Sequence, residues 1–310
     1  MVRHMADVIV KGNSYVDIDM AAGVQALYEI LTLQAKEVYV HGSDVYAKSV
    51  TSAVKKYIVP IPEKAIDNGD EIYLVDVSSV EYLENNCGYP LDQVVEIFDH
   101  HFESEKYWRE KLGSAARIEH VGAAATLVAE YAKEKEVWSL ITDDTKVLLA
   151  AAIISNSQNF KVSMTTDRDK VIYREISQEL NFAEKWPEEY LLSVQEEIGQ
   201  DVSGALKSDT KTKVPFGDKT FGIAQLEMWD TEKFLQTHQK EVLDFLDNDS
   251  SDISFFMSAS ISQDKTYLLA NDSASEQFLS ELLDTNFDNQ VAILDRIFIR
   301  KEMVKKILDS

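Results

Sequence analysis

Between Asp7 and His120 the chain repeats one unit: a short run rich in Val and Ile, then either a helical pattern or a polar turn. The runs are Asp7 to Val10, Glu37 to His41, Glu71 to Val77, Val94 to Asp99 and Ala115 to His120. Strands this short and this apolar are covered on both faces, which is the condition of parallel strands joined by crossover helices. Amphipathic spacing predicts those helices over Met20 to Gln34 and Asp44 to Tyr57, with Ala123 to Lys135, Thr145 to Ile154 and Asp167 to Leu180 following. The fold class is therefore α/β, with a doubly wound, mainly parallel sheet in the N-terminal part.

The pattern breaks around Lys185, Trp186 and Pro187, and a new helix is expected from Glu188 to Gln200 with the proline near its first turn. Two domains are predicted, 1–187 and 188–310, the second a smaller α/β unit. Its strands are expected over Lys219 to Glu227, Ile253 to Ile261 and Lys265 to Ala270, the last two pairing across Ser262 to Asp264. Helices are expected near Thr231 to Leu246 and Ser275 to Leu283.

Composition narrows the function classes. The 310 residues carry 54 acidic and 31 basic side chains, a formal charge of −23. That field repels nucleic acid and anionic membranes, so neither is expected as a partner, and an anionic substrate would need a local basic pocket. Cys87 is the single cysteine, which removes internal disulfides and Cys-based zinc sites. The sequence shows no membrane-length apolar run and no signal-type segment, and a cytoplasmic location is expected.

Chemistry-bearing residues gather just beyond predicted strand ends, where open α/β sheets bind ligands. Asp17 and Asp19 lie in a loop before a helix, Asp76 ends a run that otherwise reads as a buried strand, and Asp99-His100-His101 closes the next. Taken singly, the first two read as helix caps and the His pair as a solvated loop. Taken together, carboxylates and imidazoles meeting at one sheet edge would repel one another without a cation. Their mixed oxygen and nitrogen donors suit Mn²⁺, with Mg²⁺ or Co²⁺ also fitting. Two such ions sharing Asp76 would activate a water for attack on phosphorus.

These segments resemble the DHH phosphoesterase superfamily. Asp99-His100-His101 is similar to its naming motif, Asp17-Ile18-Asp19 to its first motif and Asp76 to its second. Val121 to Thr126 is similar to its glycine-containing turn, and Ile154 to Phe160 with Thr165 to Asp169 to its fourth segment. The C-terminal part resembles the second type of DHH-associated domain through Asp209-Thr210-Lys211, Ile223 to Glu227 and Arg300-Lys301.

The resemblance implies a metal-binding catalytic domain followed by a substrate-binding one. The enzyme implied is a manganese-dependent phosphoanhydride hydrolase like the exopolyphosphatase and prune group or the family II inorganic pyrophosphatases. It would act on polyphosphate or pyrophosphate, and a homodimer is left open. Asp17, Asp19, Asp76, His100 and Asn156 would hold metal, with His101, Asp76 and Asp99 as the catalytic set. Lys211, Arg300, Lys301, Arg168 and the N–H of Gly122 would meet phosphate, with closure across residues 185–189 assembling the site.

Two positions depart from the family pattern. Gly12-Asn13 stands where the pyrophosphatases have a His, as in the exopolyphosphatase group, and Asn156 stands where an Asp is usual. The second departure raises an alternative, a phosphate-binding regulatory protein with weakened catalysis. A nucleotide phosphodiesterase of the same superfamily ranks last, because no Gly-Gly pair occurs in the chain.

Overall fold

A computed structural model describes residues 6–309. The chain divides into two compact units, the first ending at Pro187 and the second starting at Glu188.

The first unit is built on a five-stranded, wholly parallel sheet. Its spatial order is Val38–His41, Asp7–Val10, Glu71–Val75, Val94–Asp99, Ala116–Ile118. The chain first steps outward from Asp7–Val10, then crosses back past it to Glu71–Val75. Parallel strands on either side of such a reversal have connections leaving in opposite directions, which opens a crevice at their carboxyl ends. All four residues of Asp7–Val10 are buried, as a strand covered on both faces requires. Helix Ile18–Leu33 lies close against the sheet at Gly23, where a Cβ would stand 2.5 Å from Val75 Cγ1. It also packs on helices Ala124–Glu134 and Asp143–Asn156.

One expected helix is absent. Residues 44–57 form instead a two-residue strand, Val45–Tyr46, paired in parallel with Tyr15–Val16, and a single turn, Ser52–Lys55. A β-branched and an aromatic residue side by side favour the extended pairing, and Asp44 is tied to the buried Lys11 ammonium. Helix Glu105–Leu112 of this unit was not among those predicted. It is mostly charged, and it is anchored by Trp108, which is fully buried and donates from Nε1 to Ser78 O at 2.6 Å.

The second unit carries a five-stranded mixed sheet in simple sequential order, Thr210–Phe216, Lys219–Met228, Ile253–Ser260, Lys265–Leu269, Val291–Leu294. Only Lys219–Met228 and Ile253–Ser260 run parallel, and the connection between them is helix Thr231–Leu246. Helices Ser273–Leu283 and Arg300–Leu308 contribute Leu279, Met303 and Ile307 to a core with Phe221, Phe255, Met257 and Leu268. The first and last strands were not foreseen. Thr210–Phe216 is largely exposed and lacks an apolar alternation, and Val291–Leu294 is only four residues long.

No helix among the described residues is long and apolar enough to cross a membrane.

Candidate metal centre

Two neighbouring strands of the first sheet deliver the residues at their C-terminal ends to one place. Asp76 follows Glu71–Val75, and its N–H is bonded to Phe98 O at 2.9 Å, so the neighbouring strand holds it at the edge. Its φ is +56°, a left-handed conformation that is uncommon for a residue with a Cβ and is found disproportionately at functional sites. The next strand ends at Asp99, whose Oδ1 accepts from the backbone N–H of His100 (2.7 Å), that of His101 (3.0 Å) and the His101 ring at Nδ1 (2.8 Å). That single oxygen folds the His-His pair into a fixed turn.

The pair is thereby split into two roles. His100 is buried, and its Nδ1 donates to Val121 O at 3.2 Å. A carbonyl can only accept, so Nδ1 carries a proton, and in the neutral ring the lone pair is then on Nε2, the arrangement of a metal-ligating histidine. Nε2 stands 3.5 Å from Asp76 Oδ1 and 3.9 Å from Asp19 Oδ2. Those gaps are too long for hydrogen bonds and match the spacing of two donor atoms sharing one cation through bonds of about 2.1 Å. Asp76, His100 and His101 offer ligand atoms that all lie within 4.8 Å of one another. His101 has given Nδ1 to Asp99 and keeps a half-buried ring with Nε2 unused by that bond.

The other predicted metal residues are close by but engaged. Asp17 caps helix Ile18–Leu33, accepting from Met20 N at 2.9 Å. Asp19 has no exposed surface and accepts from Ala124 N and Ala125 N, both at 2.8 Å, and from Asn156 Nδ2 at 2.6 Å. Burial first, then the charges of Asp17 and Asp99, push the Asp19 carboxyl well above the ordinary range, against the pull of the two backbone N–H groups. Asp99 is the opposite case. Burial drives it upward, but the His101 hydrogen bond and charge outweigh this and hold it low. Its second oxygen, Oδ2, is buried without a hydrogen bond. Crowded, buried acids beside a correctly protonated imidazole are the donor set a divalent cation requires.

Several residues expected at the site are already engaged by other partners. The Gly122 N–H is donated to Asp169 Oδ2 at 2.9 Å and so is not presented to phosphate. Arg168 is held by Glu119 and Glu130, which raise its already high pKa further and commit its guanidinium to a surface ion network. Asn156 turns its amide nitrogen, not its oxygen, toward Asp19. Asn13 is clamped by two phenols, its N–H donating to Tyr82 Oη and its Oδ1 accepting from Tyr89 Oη, both at 2.9 Å. Those tyrosines went unnoticed because nothing in their spacing marks them. In the second unit Arg300 binds Asp209 through both its carbonyl and its carboxylate, and its backbone N–H donates to Gln225 Oε1 at 2.8 Å. Lys211 and Lys301 are exposed.

No family model matches the chain. Among curated proteins, one from Bacillus anthracis named probable manganese-dependent inorganic pyrophosphatase is 25% identical over 257 residues, covering 79% of this chain and 78% of the relative. A Bacillus cereus protein of the same name is 26% identical over 250 residues, covering 77% and 76%. The chain is similar to these pyrophosphatases over about three quarters of its length. The resemblance to manganese-dependent inorganic pyrophosphatases read from the sequence is thus borne out. Among solved structures, a Methanococcus jannaschii protein provisionally assigned to the family II inorganic pyrophosphatases superposes with a TM-score of 0.67. It has 22% identity, covering 98% of this chain and 99% of that one, which shows a shared fold. The α/β class with a parallel first sheet is likewise borne out.

Proposed function

We propose that the protein is a divalent-metal-dependent phosphoanhydride hydrolase whose cation is held by Asp76 and His100, with Asp19 and Asp17 completing the acidic wall. The observation that carries this is the His100 ring, protonated at Nδ1 by its bond to Val121 O and aiming Nε2 at the Asp76 and Asp19 carboxylates. Manganese, when bound, supplies Lewis acidity that makes water more acidic and offsets phosphate charge. The remaining work falls to the chain. Asp99 fixes His101 through Nδ1, leaving Nε2 as the atom that holds a proton for a departing phosphate. Lys211, Arg300 and Lys301 of the second unit are the proposed phosphate-binding cations, in keeping with the transition-state charge that phosphoryl transfer develops.

Inorganic pyrophosphate is the substrate favoured by the relatives' names. The end of a polyphosphate chain is the second reading, favoured by Asn13, which stands where a pyrophosphatase histidine is expected and is already bonded to Tyr82 and Tyr89. Phosphate release from pyrophosphate and from polyphosphate, measured with Mn²⁺ and after EDTA treatment, tests both. Release that requires Mn²⁺ supports the proposal. Release unaffected by EDTA, or none from either substrate, overturns it.

A further inference from the structure

Asp169 has no part in the centre described so far, yet it is fully buried and accepts four hydrogen bonds. Two come from Thr166, N–H and Oγ1, both at 2.8 Å, and the N–H bond is one half of a capping box on helix Asp167–Glu179, the other half being the Asp169 N–H donated to the Thr166 side chain. Helix capping accounts for them. The other two cross to a distant segment: Gly122 N donates at 2.9 Å and Thr126 Oγ1 at 2.7 Å. A Cβ on Gly122 would stand 3.2 Å from the Asp169 carboxylate, so glycine is what lets the backbone come this close.

The segment gripped in this way, residues 121–126, carries the groups that aim the metal centre. Val121 O receives His100 Nδ1–H, and Ala124 and Ala125 hold Asp19 with their N–H groups. We propose that Asp169 is the positioning residue for His100. By pinning Gly122 and Thr126 it fixes the Val121 carbonyl, which sets the tautomer that leaves Nε2 facing Asp76. A carboxylate suits the task because all four of its partners are donors. An amide would turn its own N–H groups against some of them. The inference rests on the reading of His100 as a metal residue.

The test compares Asp169→Asn and Gly122→Ala with Ile176→Val, which trims a buried side chain of the same helix about two turns beyond Asp169. Two readings are taken on each purified full-length protein: the ¹⁵N shifts of the His100 ring without metal, and Mn²⁺ affinity by electron paramagnetic resonance. Asp169→Asn is expected to mix the His100 tautomers and to weaken Mn²⁺ binding by roughly 10–100-fold, with Ile176→Val like the parent. Should Asp169→Asn fail to fold, Gly122→Ala, which crowds the same carboxylate, decides by the same readings. Unchanged His100 shifts in a folded variant overturn the proposal. If the parent binds no Mn²⁺ but Asp169→Asn still mixes the tautomers, the positioning role stands and the metal reading falls.

Discussion

The side-chain amide of Asn156 donates to Asp19 Oδ2 at 2.6 Å, joining residues 137 positions apart in the chain. It places a neutral donor against a buried acid whose neighbours, Asp17 and Asp99, are also acids. An N–H group there performs part of the charge relief that a cation would otherwise supply.

Asn156→Asp should reverse this. A second carboxylate against Asp19 loses the hydrogen bond and adds repulsion, so the metal-free variant should be less stable by roughly 2 kcal/mol or more. Added Mn²⁺ should raise its melting temperature more than it raises the parent's, and phosphate release should increase. Thermal melts with and without Mn²⁺ check this, and equal metal-induced shifts in the two proteins would count against the account.

His100 and His101 should separate on mutation. His100→Ala should lose Mn²⁺ affinity by more than the roughly 10–100-fold typical of an outer partner. His101→Gln should keep affinity within a few-fold while turnover falls by about 10²–10⁴, the range for removing a proton-transferring group. Paramagnetic resonance titration alongside steady-state kinetics distinguishes the two, and equal loss of affinity in both variants would make His101 a ligand.

Acid should weaken the first unit through Asp70. Burial alone would raise its pKa, but Lys64 and the N–H groups of Asp67 and Ala6 outweigh this and hold it low. A group depressed on folding stabilises above its unfolded pKa, and that stability disappears as pH falls through the folded value. Asp70→Asn should therefore cost about 1–2 kcal/mol near neutrality, with the gap to the parent narrowing from about pH 5 toward pH 2. Urea midpoints across that range give the readout, and a gap that widened on acidification would reverse the sign claimed.

Trp108→Phe should destabilise the loop after Asp76. The indole Nε1 is bonded to Ser78 O in a fully buried setting, and removing the donor strands that carbonyl at a cost of about 1–3 kcal/mol. Chemical denaturation should show the loss, and hydrogen exchange should locate it around residues 76–79.

The sheet and its edge were legible because burial on both faces leaves a mark in the sequence. Asp7–Val10 and Glu71–Val75 are short apolar runs, and Asp76, His100 and His101 stand out as polar residues ending such runs. What stayed hidden depended on contacts between distant segments. Asn156 with its nitrogen toward Asp19 and Gly122 bonded to Asp169 are choices made by tertiary neighbours. Helix Glu105–Leu112 escaped notice because one buried indole, not an apolar stripe, holds it down.

The left-handed backbone at Asp76 sets stability against binding at a single position. Glycine would adopt φ near +56° without steric cost and would relax that turn, yet it would remove the carboxylate that faces both imidazoles. Engineering for heat resistance alone would thus favour emptying the pocket, so any thermostability screen on this protein should carry a parallel assay for Mn²⁺ uptake.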